Sequence, residues 1–238
     1  MSENIKKINE NYIMKAFKVD LDSRENQSII LKPSARPFNN QTHQVNEMAK
    51  KIYRLIEGIK HSNDDTILNH NKIKEAFFSP FEPQLKDAQV FLSHSHADKN
   101  KAFKVKNYLE SETNHRVFID SLFWDYKNNV LKEMKKHHID VSKIEDAFTL
   151  ILRESLQDMI EKCPYFVFLQ NNNSVSNQGL SRTTYSAWVY EELKIAHSIR
   201  ESRLTPMMES MQVFHDISPF LESLETITLK ELSHIINS

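Results

Sequence analysis

The chain has 238 residues, of which 39% are hydrophobic and 26% charged, so it can bury a sizeable core and is not disordered by composition. Its 31 basic and 32 acidic side chains give a net charge of −1, which removes the electrostatic case for binding nucleic acid or an acidic membrane. The single cysteine, Cys163, excludes an intrachain disulfide and a multi-cysteine zinc site.

Targeting signals and glycine-rich motifs are missing from the sequence. The N-terminal stretch "MSENIKKINENYIMKAFK" has no apolar h-region, and the apolar runs fall far short of the ~20 residues of a membrane helix. We therefore expect a soluble, cytoplasmic protein with no membrane partner. The only glycines are Gly58 and Gly179, so glycine-rich phosphate-binding loops are absent. Any nucleotide must be held in another way.

The N-terminal third is predicted to be a helical extension, covering residues 1–86. Residues 1–32 have a mixed pattern, and "KPSARPFNNQT" after them is rich in proline and asparagine, as linkers are. Apolar residues at helical spacing predict helices over 42–60 and 64–77. The prolines of "SPFEP" end the second helix.

Strands and helices alternate from Ala88 onward. Apolar runs predict strands at "AQVFLSHS", "HRVFIDS" and "PYFVFLQ", with further strands at "RLTPMM" and "QVFHDI". Helical patterns lie between them, over 98–112, 126–138, 144–162 and 183–200. This alternation predicts an α/β fold with a parallel sheet and helices on both faces. Ligands of such sheets bind beyond the carboxyl ends of the strands, here "SHSH", "IDS" and "LQNNN".

The helix over 183–200 contains "SAWVYEEL", with two adjacent glutamates that are not equivalent. At about 100° per residue, Glu192 falls about 40° from Trp188, inside the apolar stripe, whereas Glu191 falls at the edge of the polar side. A carboxylate on a buried face is costly unless it is paired or used. Two interpretations stay open. Glu192 caps the helix or forms a salt bridge, or it is a site carboxylate beside Trp188 as a flat stacking wall.

Four segments in order, "AQVFLSHSHADK", "VFIDSLFW", "CPYFVFLQNNNSVS" and "SAWVYEEL", resemble the TIR (Toll/interleukin-1 receptor) domain, especially its bacterial branch. The resemblance implies a flavodoxin-like TIR fold over residues 87–238, with a parallel sheet of about five strands. Some TIR domains are adaptor modules, and others cleave NAD at the nicotinamide–ribose bond. In the enzymes the catalytic acid is a glutamate four residues after a tryptophan or similar residue. These positions are Glu192 and Trp188 here.

The resemblance also implies a biological setting. Standalone bacterial TIR proteins of this kind resemble the sensor–synthase of the Thoeris anti-phage system, in which NAD becomes a cyclic or otherwise modified ADP-ribose that activates a separate effector. NAD is then a substrate, no metal or other cofactor is required, and self-association through TIR contacts completes the site. The alternatives are a non-catalytic interaction module and a secreted effector that interferes with host TIR signalling. The long segments "KEMKKHHIDVSKIEDAFT" and "NNNSVSNQGLSRTT" depart from the family and leave the product open.

The substrate-binding residues implied for such an enzyme lie at strand ends. Hydroxyl and backbone N–H groups at Ser93, His94 and Ser95 are suited to hold ribose or phosphate without glycine. His94 and His96 are an alternative pair of metal ligands, but two ligands alone are weak evidence for a metal site. Asp120 ends the second strand and either orients a sugar hydroxyl or forms a structural pair.

The remaining candidates have a structural interpretation beside the functional one. Trp188 stacks on nicotinamide or adenine, or packs in the core. Trp124 forms the other wall of the cleft, or a self-association contact. Asp98 is predicted to cap the next helix. Cys163, before a buried strand, is predicted to be an inert buried thiol.

Overall fold

The computed structural model describes residues 14–32, 54, 74–75, 87–136, 142–178, 181–184, 186–201 and 215–238. The chain divides into two compact units. The first comprises Met1–Lys32, Ala88–Phe118 and Met159–Ser238, and the second comprises Pro33–Asp87 and Ile119–Asp158. Within the described ranges, no helix is both long enough and apolar enough to span a membrane.

The main sheet confirms the predicted α/β class. Its five parallel strands are β1 (Lys15–Asp20), β2 (Ala88–Ser93), β3 (Arg116–Ile119), β4 (Tyr165–Gln170) and β8 (Glu225–Thr226). Their order across the sheet is β3-β2-β4-β1-β8. A small antiparallel sheet has the order β5-β6-β7, formed by β5 (Ser176–Gln178), β6 (Ser181–Thr184) and β7 (His215–Asp216).

Seven α-helices are described, and their ends follow local chemistry. They are α1 (Arg24–Ile30), α2 (Lys99–Thr113), α3 (Ser121–Lys136), α4 (Ser142–Lys162), α5 (Ala187–Glu201), α6 (Ser218–Glu222) and α7 (Leu229–Asn237). Helix α2 ends at Asn114, whose left-handed backbone (φ 57°) is one that asparagine tolerates better than most residues. Helix α7 begins with a capping box between Thr228 and Glu231. Helices α2 and α4 confirm the predictions over 98–112 and 144–162.

The core of the first unit is built on the middle of the sheet. Residues Val90 to Leu92 of β2 and Phe166 to Leu169 of β4 have no exposed surface, as expected of strands covered on both faces. The rings of Phe91 and Phe166 stack with centroids 5.8 Å apart. Burying one such side chain contributes roughly 1.5–3 kcal/mol, so this pair of strands anchors the fold.

Strand β1 corrects the prediction that residues 1–86 form a helical extension. It lies between β4 and β8, with Phe17 opposite Val167 on one side and Glu225 on the other. The sequence "KAFKVD" is short and carries two lysines, so its strand pattern is weak. Lys18 is only half-buried, and its Nζ donates to the carbonyl of Leu221 at 2.8 Å, which offsets the cost of placing a lysine in this strand. Burial, and next the charge of Arg182, lower the pKa of Lys18.

Most of the remaining N-terminal predictions lie outside the described residues. These are the linker after Lys32 and the helices over 42–60 and 64–77, of which only Arg54, Lys74 and Glu75 are described, all helical. The strand predicted at "RLTPMM" also lies outside them. Of the strand predicted at "QVFHDI", residues 212–214 also lie outside the described part, and His215–Asp216 form β7, which belongs to the small sheet instead of the main one.

The helix predicted over 183–200 begins later than expected. Thr183 and Thr184 belong to β6, which pairs with Ser176–Gln178 and with His215–Asp216. Both threonines are buried, as β-branched residues in a strand often are. The helix α5 therefore starts at Ala187, and Glu192 lies in its second turn.

Candidate functional site

The strand order places a topological switch point at the carboxyl ends of β2 and β4. The chain leaves β2 toward β3 on one side of the sheet, and after β4 it continues to β8 on the other side. The two connections thus diverge between neighbouring parallel strands. In open α/β sheets such a switch point opens a crevice outside the carboxyl ends, where ligands bind.

The loop that leaves β2 brings three predicted site residues to this edge of the sheet. Ser93 has no exposed surface, and His94 and Ser95 are 4% and 8% exposed. The loop closes into a 3-10 turn, in which the Asp98 N–H donates to the Ser95 carbonyl at 2.8 Å. His96 is exposed whereas His94 is buried, so the two rings do not share one environment. Among the described residues, no cluster of three or more His, Cys, Asp or Glu could hold a metal ion.

Helix α5 positions Glu192, and its start excludes the capping interpretation of that residue. The hydroxyl of Ser186 accepts from the Val189 N–H at 3.2 Å, so Ser186 caps the helix. The Ser186 N–H is in turn held by Thr184 Oγ1 at 3.1 Å. No acidic residue lies in the first turn of α5, and Glu192 follows it by a further turn.

The central contact of the site joins Glu192 to Ser93. The Ser93 hydroxyl donates to Glu192 Oε2 at 2.5 Å, across 99 positions of sequence. Glu192 has no exposed surface. This bond offsets part of the cost of burying its carboxyl group and fixes one oxygen toward the end of β2.

The burial pattern of α5 agrees with the helical wheel. Val189, Leu193 and Ala196 are buried with Glu192, whereas Trp188 and Glu191 are only half-buried. The prediction that Glu192 alone lies on the apolar stripe is therefore confirmed. Trp188 keeps surface that a planar ring could cover, and its stacking role stays a prediction.

Two other predicted residues belong to the second compact unit. Asp120 is 5% exposed and follows β3 directly. Trp124 lies in the first turns of α3, and its side chain is outside the described part of the structure. The structure therefore brings together Ser93 and Glu192, flanked by His94, Ser95 and Trp188, and the roles of Asp120 and Trp124 stay predictions.

The loop after β4 contains further candidate residues, to which no sequence pattern pointed. Asn171 Oδ1 accepts from the N–H groups of Asn173 and Ser174, each at 3.0 Å, and Ser174 Oγ accepts from the Asn171 N–H at 2.9 Å. The turn is thus held by its own side chains. Its segment "NNNS" indicated a polar loop at this edge, but no sequence pattern indicated its partner.

That partner is Asp98, and its position corrects the prediction of a helix cap. Asp98 occupies the N-cap position of α2, but its side chain makes no capping hydrogen bond. Instead, Asn173 Nδ2 donates to Asp98 Oδ1 at 3.0 Å. The carboxylate is 2% exposed and bridges the loops that follow β2 and β4.

Cys163 has the surroundings of an inert thiol. Its Sγ lies 3.7 Å from the carbonyl of Ala88, to which it donates, and 1% of the residue is exposed. Burial raises the pKa of the thiol to about 12. The thiolate is therefore scarce at neutral pH, which argues against a nucleophilic role.

No protein-family model, curated protein or solved structure gives a significant match to the chain. The resemblance to TIR domains therefore stays an expectation from the sequence motifs.

Proposed function

We propose that this protein is a TIR-type enzyme that cleaves NAD at the bond between nicotinamide and ribose. The observation that carries the proposal is the Ser93–Glu192 hydrogen bond beside the switch point of the sheet. It joins two of the four segments that resemble TIR domains, at "FLSHS" and "WVYEE". A carboxyl group held beside the switch point is suited to this reaction once substrate can reach it.

The chemistry uses the charge already present in NAD. The C1′–N bond breaks heterolytically, nicotinamide leaves with the bonding pair, and positive charge develops on the ribosyl C1′. The Glu192 carboxylate stabilises that charge from a site of low dielectric, where its effect is greatest. A water molecule or another group of the nucleotide then adds to C1′ and loses a proton, and this choice decides between linear and cyclic ADP-ribose products.

Ser93 and Trp188 have distinct roles in this proposal. The hydroxyl of Ser93 donates to Oε2 of Glu192 and so orients the carboxyl group at the end of β2. Trp188, one turn earlier on the same helix and half-buried, provides a flat face for nicotinamide or adenine. His94 and Ser95 lie next to Ser93 and are the proposed contacts for ribose or phosphate. Substrate contacts for Asp120 and Trp124 are proposed from the sequence resemblance alone.

A flavodoxin-like TIR fold is the finer form of this proposal. Flavodoxin-like sheets have the order 2-1-3-4-5, and β3-β2-β4 reproduces its first three places. The fourth place is taken by the N-terminal strand β1, which is a variation on that order. The proposed setting is the cytoplasm of a bacterium under phage attack, with self-association and a separate effector that binds the product.

A non-catalytic interaction module is the second candidate, and one observation favours it. Glu192 has no exposed surface, so its carboxyl group must become accessible before it can contact a substrate. A buried Ser–Glu hydrogen bond can also serve the fold alone. A secreted effector that interferes with host TIR signalling would belong to this class and has no structural observation of its own.

The test is performed in bacterial cells challenged with phage. Cells carry the wild-type protein, Glu192→Gln or the neighbouring control Glu191→Gln at equal levels, and mass spectrometry follows NAD, nicotinamide and new ADP-ribose species. We expect NAD loss and a new nucleotide with the wild type and the control only. Unchanged NAD in all three strains, with normal folding of the protein, supports the interaction module instead.

A further inference from the structure

We propose that Asp98 is a positioning residue, which sets the spacing of the two loops that enclose the NAD crevice. The inference rests on the proposed function. It starts from the Asp98 carboxylate, which accepts from a distant loop instead of capping its own helix. At the N-cap of a 15-residue helix, Asp98 would be expected to accept from the first N–H groups, and it does not. Instead it accepts from Asn173, which is 75 positions away in the sequence.

Asn173 is held in place before it reaches Asp98. Its own N–H is bonded to Asn171 Oδ1, and the same oxygen accepts from Ser174. Asn171 and Ser174 are 5% and 1% exposed. The turn therefore presents the Asn173 amide from a fixed backbone, and the bond to Asp98 transmits the position of one loop to the other.

The bridge extends, more weakly, to a third strand end. Lys101 Nζ lies 3.8 Å from Asp98 Oδ1 and 3.5 Å from Asp22 Oδ1, and Asp22 follows β1. The Asn172 N–H donates to Asp22 Oδ2 at 3.4 Å. These outer contacts involve exposed groups and are screened by solvent, so they contribute little. The Asp98–Asn173 bond is part-buried, because Asp98 is buried and Asn173 is exposed, and at 3.0 Å it is the shortest of these contacts. It is therefore the member that can hold the loops together.

Loss of the Asp98–Asn173 bond should therefore weaken the binding of NAD and leave the chemical step unchanged. The bridge touches neither oxygen of Glu192, so its loss leaves the Ser93–Glu192 bond in place. It does connect residue 98, at the end of the Ser93 loop, to the loop after the neighbouring strand. Loosening it lowers the fraction of molecules with a substrate-ready crevice, which raises KM for NAD and leaves kcat nearly unchanged.

The test exchanges the carboxylate at position 98 and the amide at position 173. Asn173→Asp sets two carboxylates against each other, and we expect KM for NAD to rise about tenfold or more with kcat within about threefold. The double variant Asp98→Asn with Asn173→Asp restores an amide–carboxylate bond with donor and acceptor reversed, and KM returns to within about threefold of the wild type. Asn172→Ala, which changes an exposed neighbour, is the control with an unchanged KM.

Hydrogen–deuterium exchange of the substrate-free variants gives a second readout. We expect Asn173→Asp to speed exchange in both loops, 94–98 and 171–175, and the double variant to slow it again. Fast exchange confined to 171–175 overturns the coupling. An active wild type whose KM is unaffected by Asn173→Asp overturns the role of Asp98 alone, whereas a folded wild type that releases no nicotinamide overturns the proposed function.

Discussion

Removing the Ser93 hydroxyl tests the central contact without any assumption about activity. In Ser93→Ala the backbone of β2 is unchanged, and the side chain loses one oxygen. Glu192 Oε2 then loses the donor that lies 2.5 Å away, in a residue with no exposed surface. Water cannot replace the donor without entering the site, so the carboxyl group meets part of its desolvation cost uncompensated.

The expected magnitude follows from that burial. A buried acceptor that loses its partner costs about 1–3 kcal/mol of unfolding free energy, and more if it is charged. For a chain of this size each kcal/mol lowers the melting temperature by about 2–4 °C, so we expect a fall of about 2–12 °C. When Glu192 is already replaced by Gln, Ser93→Ala should lower the unfolding free energy by about half as much, because a neutral acceptor forms a weaker hydrogen bond.

Thermal melts of four proteins provide the assay: the wild type, each single variant and the double variant. Ser95→Ala is the matched control, since Ser95 is 8% exposed and its hydroxyl bonds to no other described residue. We expect it to melt within about 2 °C of the wild type. Two results would refute this reasoning, because each means that the Ser93–Glu192 bond does not stabilise the fold. One is a melting temperature of Ser93→Ala equal to that of the control, and the other is an equal fall on Ser93→Ala with Glu or Gln at position 192.

Three further predictions concern the fold. Cys163, with a thiol pKa raised by burial to about 12, should resist iodoacetamide at pH 8 in the folded protein and react fully in urea. Hydrogen bonds from Thr228 lower the pKa of Glu231, so its contribution to stability is present above about pH 4.3, the ordinary glutamate pKa, and declines as the pH falls below it. In urea denaturation, the free energy of unfolding should fall less between pH 7 and pH 3 for Glu231→Gln than for the wild type. An equal fall in the two proteins would contradict this. Deleting residues 1–32 removes β1 from between β4 and β8, and circular dichroism should then show loss of cooperative unfolding, whereas an independent extension would leave it intact.

The middle of the sheet could be predicted because its signal is local. Strands β2 and β4 are continuous apolar runs bounded by polar loops, and α2 and α4 have clear helical spacing. Strand β1 could not, because its six residues include two lysines and an aspartate, and its stability comes from partners about 150 positions away. The late start of α5 had the same cause, since Thr183 and Thr184 pair with other strands.

In the candidate site, too, the features set by neighbouring residues could be predicted, and those set by distant partners could not. Helix periodicity identified Glu192 as the acid on the buried stripe, because that property depends on residues within two turns. The hydrogen bond from Ser93 and the bridge from Asp98 to Asn173 join positions 99 and 75 residues apart, and periodicity carries no such information. Asp98 shows the difference well: its local position predicts a helix cap, and a distant partner determines what it does.

The central claim is that the buried Glu192, and not its neighbour, cleaves NAD. The most direct measurement is the initial rate at which the purified proteins release nicotinamide from NAD. The wild type, Glu191→Gln and Glu192→Gln are compared at equal protein concentration, after each is shown to be folded. Both variants remove one negative charge from α5 and differ by one position. We predict that Glu191→Gln stays within about threefold of the wild type and that Glu192→Gln loses at least about a hundredfold. Full turnover by Glu192→Gln would contradict the claim.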